Sequence, residues 1–192
     1  MNTRTIRPTE SMRPITREEY LRMMAPVAPF AEYQCGFMVT KTAAQGRHGR
    51  AIRGVIEALC HDSTRNARLE VYQGVCVDFG ENIFVPDVVL LRLEDHARYD
   101  STSGNIVGPP ELIVEVVSHD SGARDRVMKF NCYFEAGVPW YWLIDPFEFT
   151  VEEWQSTDLG YVRTAAATIG HMFRPRAVAL EVPADDLFPT VG

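Results

Sequence analysis

Residues 108–146, GPPELIVEVVSHDSGARDRVMKFNCYFEAGVPWYWLIDP, decide the fold. A β-branched apolar run, a polar stretch, an amphipathic segment, a Gly turn and a second apolar run predict strand, loop, helix and strand in that order. The first strand, residues 111–118, is apolar enough to lie inside a sheet, yet Glu115 stands at its middle. A carboxylate in a buried β run costs free energy unless something binds it. Lys129, on the helix that follows, is a candidate partner.

Upstream, residues 83–93 predict another apolar strand, with Asp87 following Pro86. Alternation puts Asp87 on one face with Val89 and Leu91, and Glu115 on one face with Ile113 and Val117. Two neighbouring strands with one acid each on a shared face would bring both carboxylates within reach of one cation. Alone, the acids repel and resist ionisation; a divalent metal removes both costs. On the helix, Arg126, Lys129 and Tyr133 share a flank, and Val127, Phe130 and Phe134 mark the adjoining face that packs on the sheet. Lys129 is then expected at the border of core and solvent, pointing toward Glu115. An exposed Asp125–Lys129 pair at spacing four is the plain alternative, and spacing alone does not decide between them.

A chain of 192 residues with 46% hydrophobic content predicts one globular domain over residues 15–192 behind a flexible arm at 1–14. No run is apolar enough to span a bilayer, and the charged, Pro-containing start lacks a signal peptide's apolar core. A soluble, cytoplasmic protein with no membrane partner is expected. Cys35, Cys60, Cys76 and Cys132 form no CxxC pair, so reduced thiols packed in apolar or half-buried segments are expected rather than structural zinc. A net charge of −7 argues against coating nucleic acid by charge alone, which needs clustered Lys and Arg. It leaves room for a nuclease, because a metal site must itself be rich in acids.

Thr16 and Glu19 make a capping box that starts a helix over residues 16–24, ended by Pro26. Residues 32–40 predict one strand bent at Gly36. Residues 45–59 predict a helix whose Ala51, Ile52, Val55, Ile56 and Leu59 share a face. His48 lies toward that apolar side at the first turn, an odd place for an imidazole unless the helix start borders a polar cavity. Strands follow over 68–73 and 74–79, a polar loop over 94–110, an antiparallel pair over 149–155 and 161–168, and a short strand and turn over 177–188. Arg47, Arg50 and Arg53, spaced by three, are phosphate contacts or an ordinary solvated face. Trp140, Tyr141 and Trp142 are expected mainly as core, with a dimer surface or base stacking as alternatives. No GxGxxG, P-loop or GxSxG element supports a dinucleotide, nucleotide or serine-hydrolase reading.

As a set, Val85-Pro86-Asp87, residues 110–118 (PELIVEVVS), Asp125, Lys129, Tyr133, residues 137–142 (GVPWYW) and Asp145-Pro146 resemble the Uma-two family. These are endonucleases of the PD-(D/E)xK superfamily with a restriction-endonuclease-like fold, and the resemblance runs from about residue 16 to 188. It implies an α/β fold with a mixed central sheet flanked by helices and additional peripheral antiparallel strands. It implies that Asp87 and Glu115 are catalytic acids and metal ligands. Many superfamily members carry a lysine two residues after the second acid; here that position is Val117, and Lys129 on the helix matches the family's recruited lysine. Glu32 with Gly36 is similar to a strand entry whose glutamate often completes the acidic site, although Tyr33-Gln34-Cys35 departs from the pattern. His48 with Gly49 matches a helix start common in the family. His48 and Tyr133 are accessory candidates; His48 is equally readable as a structural histidine, and Tyr133 reads mainly as an aromatic facing the core. Arg47, Arg50 and Arg126 are weaker candidates for nucleic-acid contact.

The implied cofactor is Mg²⁺ or Mn²⁺, which hard carboxylate oxygens favour over zinc. DNA is the implied partner, and a homodimer is expected by analogy with nucleases that cut both strands. The expected activity is metal-dependent hydrolysis of DNA phosphodiester bonds. The alternatives are a non-catalytic binding protein on a nuclease fold and a hydrolase of RNA or small phosphodiesters.

Overall fold

A computed structural model describes residues 12–27, 31–40, 46–61, 68–118 and 124–188. In chain order these give β1 (Met12–Pro14), α1 (Arg17–Val27), β2 (Ala31–Gln34), β3 (Phe37–Thr40), α2 (Gly46–His61), β4 (Leu69–Gln73), β5 (Val77–Asp78), β6 (Ile83–Phe84) and β7 (Val88–Arg92). Next come β8 (Tyr99–Asp100), β9 (Asn105–Val107), β10 (Leu112–Val116), α3 (Phe130–Glu135), β11 (Trp140–Asp145), β12 (Thr150–Thr157) and β13 (Gly160–Thr168). A ribbon of β14 (Met172–Phe173) and β15 (Val182–Pro183) and the single turn α4 (Ala184–Leu187) follow.

All five residues of β10 are buried, as a strand covered on both faces requires. It pairs in parallel with β11 and antiparallel with β7, inside a sheet ordered β13-β12-β11-β10-β7-β4. Parallel neighbours need a crossover, and α3 lies on it. One face of this sheet presents Val88, Leu90, Leu112, Val114 and Val116 to Ala51, Ile52, Val55 and Leu59 of α2 and to Ala184 and Leu187 of α4. On the other face, Ile113, Val117, Tyr141 and Leu143 meet Tyr133 of α3 and Phe84 of β6. Each fully buried aliphatic side chain contributes about 1.5–3 kcal/mol. A second sheet, ordered β1-β3-β2-β6-β5-β9-β8, covers that face further, with Val77 and Ile106 against Val89 and Leu91. The fold is mixed α/β with two large mixed sheets.

Several expectations need correction. Residues 32–40 are a hairpin, not one bent strand: Cys35 (φ 47°) and Gly36 (φ 88°) form the two-residue turn between β2 and β3. Left-handed backbone at both positions matches the twist of tight hairpins. The strand expected over 83–93 splits at Pro86, which has no N–H for a ladder bond. β6 belongs to one sheet and β7 to the other, so Val85-Pro86-Asp87 carries the chain between them. The polar loop over 94–110 contains a 3₁₀ turn (Leu93–Arg98) and two short strands.

The capping box is made as expected, with Glu19 N–H on Thr16 Oγ1 (3.2 Å) and Thr16 N–H on Glu19 Oε2 (2.9 Å). The helix runs past Pro26 to Val27; a proline so near the end forfeits one backbone bond without stopping the last turn. The arm expected over 1–14 overlaps β1, where Met12–Pro14 pairs with β3; residues 1–11 lie outside the described residues. Cys76 and Cys132 are buried and half-buried, but Cys35, lifted out by its turn, and Cys60 are exposed. Tyr141 and Trp142 are both core, and Trp142 Nε1 donates to the buried Glu153 (3.0 Å). Among the described residues no helix is long and apolar enough to cross a membrane.

Where α2 crosses α4 the backbones nearly touch. A Cβ on Gly54 would lie 2.5 Å from the backbone oxygen of Asp186, and α4 cannot recede without drawing Ala184 and Leu187 out of the core. Gly54→Ala is therefore expected to lower stability by about 1–3 kcal/mol, measured by urea unfolding. This happens despite alanine's helix advantage of about 1 kcal/mol at an unhindered site.

Candidate active site

Three elements meet behind β10. The β7–β10 register pairs Val88 with Val114; continued by one residue it sets Asp87 opposite Glu115. Glu115 lies on the side that carries Ile113 and Val117, whereas Asp87 stands one residue beyond the paired register, in the bend before β7. Because Pro86 ends laddering, the Asp87 side chain substitutes for a strand partner. Its Oδ2 accepts the Val116 N–H at 2.8 Å. His48, at the start of α2, brings Nε2 to 3.2 Å from the same Oδ2. His48, expected to face a polar cavity, meets the Asp87 carboxylate.

Glu115 is buried at 2% exposure and its Oε1 receives two donors: Lys129 Nζ at 2.9 Å and Tyr133 O–H at 2.6 Å. Burial first, and then the charge of Glu115, hold the Tyr133 hydroxyl well above its ordinary pKa. It therefore stays protonated and a donor. Lys129 Nζ also reaches Glu32 Oε1 at 2.9 Å and sits 5.7 Å from the centroid of the Phe84 ring. Glu32 comes from β2 in the other sheet. Its Oε1 accepts the Val85 N–H (3.0 Å) and its Oε2 accepts Gln34 Nε2 (2.7 Å). An ammonium between two carboxylates compensates part of their burial cost, which neither acid could meet alone.

Lys129 is fully buried, not at the solvent border as expected. The difference arises from winding. Arg124–Lys129, leading into α3, is π-helical, so side chains there do not follow the three-and-four spacing of an α-helix. Val127, expected against the sheet, is exposed. Arg126 does not share the site with Lys129 and Tyr133; it reaches Asp145 Oδ2 at 2.6 Å, with Glu152 Oε2 at 3.9 Å. The Asp125 side chain lies outside the described residues. Arg47 is exposed and Arg50 half-buried on α2.

Sequence reasoning missed two buried polar residues. Glu153 on β12 accepts from Trp142, Thr164 Oγ1 and the Arg176 and Ala177 N–H groups, and so fastens the chain after β14 to the sheet. Gln34 is the other; its only sequence signal is an amide two residues after Glu32 on a strand, hence on the same face.

The mixed α/β fold holds a buried lysine between carboxylates from its two sheets. The sequence family described as "Putative restriction endonuclease", Uma2, matches residues 17–183. The chain belongs to that family, and so to a nuclease family. A crystal structure titled as a "putative nuclease belonging to DUF820", from Anabaena variabilis, superposes with a TM-score of 0.72 at 21% identity, covering 91% of this chain and 98% of that one. At that identity the likeness speaks for the fold. A comparison with curated proteins finds no match.

Proposed function

We propose that the protein is a metal-dependent endonuclease that hydrolyses DNA phosphodiester bonds. Asp87 and Glu115 hold Mg²⁺ or Mn²⁺, and Lys129 is the catalytic lysine. The observation that carries the reading is the buried Lys129 ammonium 2.9 Å from Glu115, with Asp87 Oδ2 accepting the N–H of Val116, the residue after Glu115. Family membership supports the hydrolytic class.

The carboxylate oxygens of Asp87 and Glu115 are hard donors of the kind Mg²⁺ or Mn²⁺ would take. Among the described residues no three Asp, Glu, His or Cys side chains form a ready-made metal cage. Zinc and calcium sites demand such cages, whereas Mg²⁺ is held by one or two carboxylates, retained waters and substrate phosphate. Once bound, the ion supplies phosphate polarisation and an acidified water.

The chain's own groups do the rest. His48 and the Val116 N–H fix the rotation of Asp87, as Tyr133 and Lys129 fix that of Glu115. Lys129 donates to negative charge growing on the phosphate, and its dry surroundings strengthen that interaction relative to water. Two copies, each cutting one strand, would account for a double-strand break.

The test is nicking of supercoiled plasmid by purified protein. Conversion is expected with Mg²⁺ or Mn²⁺, and none after chelation with EDTA or in a folded Asp87→Ala variant. Cleavage that survives Glu115→Ala would mean a contaminating nuclease. Metal binding without turnover on DNA, RNA or dinucleotides would favour a binding protein on this fold.

A further inference from the structure

We infer that Arg126 and Asp145 form a positioning pair that holds the wide turn before α3, and that Lys129 stays in the interior only while that pair is made. The step from position to rate rests on the nuclease reading above. Arg126 thereby serves to place the lysine, not to hold nucleic acid.

The turn needs an external cause. Arg124–Lys129 is π-helical, a rare winding found mostly as single turns and often at functional sites. It is not adopted to bury apolar surface, because Val127 in its middle is 53% exposed. In an α-helix, side chains three apart lie on one flank. Bonds from i to i+5 widen the turn and spread such a pair, and here Lys129 goes inward while Arg126 goes outward. Lys129 Nζ is held at 2.9 Å by Glu32 and by Glu115. Arg126 is the opposite anchor of the same turn.

That anchor is built into the sheet. Leu143 and Asp145 are two apart on β11, and Glu152 stands opposite Leu143 on β12, so all three face the side on which α3 packs. Asp145 is buried, and its two oxygens are divided. Oδ1 accepts the Phe147 and Glu148 N–H groups at 2.9 and 3.0 Å, and Oδ2 meets Arg126 at 2.6 Å. The turn after β11 thus fixes the rotation of the carboxylate, and the carboxylate fixes Arg126. Glu152 Oε2 stands 3.9 Å from the other terminal nitrogen of Arg126, and Glu152 Oε1 is held by Arg163 at 2.6 Å. Cut from this anchor, the turn is free to take α-helical winding. Positions 126 and 129 would then share a flank, and Lys129 would be drawn toward the border of core and solvent.

The experiment measures acetylation of Lys129 by an N-hydroxysuccinimide ester, followed by peptide mass, beside plasmid-nicking kinetics in Mn²⁺. The sequence has two lysines, Lys41 and Lys129, so the modified peptides are unambiguous. Full-length wild type is compared with Arg126→Gln, Asp145→Asn and the double variant, with thermal unfolding run on each. Asn keeps an oxygen for the Phe147 and Glu148 N–H groups, which turns its amide nitrogen toward Arg126, donor against donor. A folding failure in one variant leaves the other to decide. Lys129 is fully buried in wild type, so local opening sets its access, and acetylation is expected to be about tenfold faster or more in both variants. The expected fall in kcat is about 10–100-fold, the cost of misplacing a reacting group by about 1 Å, with KM within about twofold of wild type. The double variant should lose no more than either single one, since the two residues act as one pair.

Lys129 as protected in the folded variants as in wild type would overturn the proposal, whatever the rate does. So would a raised KM with unchanged kcat in Arg126→Gln, joined by a shallower salt dependence of DNA binding, which is the behaviour of a phosphate contact. If wild type does not nick DNA, the nuclease reading fails, and the acetylation rates still decide whether the pair seats Lys129.

Discussion

Lys129→Met is expected to reduce plasmid nicking by about 10²–10³-fold, the loss typical of removing one preorganised charge donor from a buried site. Mn²⁺ affinity should not weaken, since the cation removed is a competitor for Glu115, not a ligand. Stability should fall as well. Lys129 is fully buried between Glu32 and Glu115, and removing one partner of a buried ion cluster strands the others, at about 3–5 kcal/mol. In a domain of this size that lowers Tm by roughly 10 °C. The double loss separates this lysine from a surface pair, whose removal would cost about 0–1 kcal/mol and leave cleavage untouched. Lys129→Arg is expected not to rescue, because a planar guanidinium does not fit a seat shaped for a compact ammonium. A variant that nicks DNA at the wild-type rate would eliminate Lys129 from the chemistry.

The parts of the site that were legible in the sequence depend on strand geometry. Side chains alternate with period two, so the side of the sheet on which Glu115 lies follows from its position in an apolar run, and Ile113 and Val117 pack on that side as expected. The α2 stripe of Ala51, Ile52, Val55 and Leu59 was legible for the same reason with a period of 3.6, and it packs as expected. What was illegible depends on distance along the chain or on departures from regular winding. The contact between Lys129 and Glu32 spans 97 residues and joins two sheets. No local pattern encodes it. The π-helical turn before α3 rotates Lys129 into the interior and Arg126 toward Asp145, which reverses an assignment made on an α-helical wheel. Pro86 lies inside the single strand expected over residues 83–93, and its effect as a breaker was passed over. Its consequence, that one apparent strand serves two sheets and delivers Asp87 at the crossing, required the topology.

Asp87→Asn and Glu115→Gln are expected to abolish metal-dependent nicking and to weaken Mn²⁺ binding by about 10²-fold or more, a larger effect than the 10–100-fold typical of residues that only orient a ligand. The amide variants keep shape and most hydrogen bonds. A carbonyl at position 87 can still accept the Val116 N–H, and one at 115 can still accept from Tyr133 and Lys129, contacts that now run at 2.8, 2.6 and 2.9 Å. They remove only the negative charge that binds a hard divalent ion. Glu115→Ala is a different experiment. It leaves the Tyr133 hydroxyl buried without this acceptor, at about 1–3 kcal/mol, and takes one carboxylate from Lys129. Loss of cleavage with unfolding in Glu115→Ala would therefore say little, whereas loss of metal and cleavage in a folded Glu115→Gln isolates the charge. If Glu115→Gln and Asp87→Asn both bound Mn²⁺ as tightly as wild type, the carboxylates would be no more than partners for Lys129 and His48, and the cluster would be a buried ion network holding two sheets together.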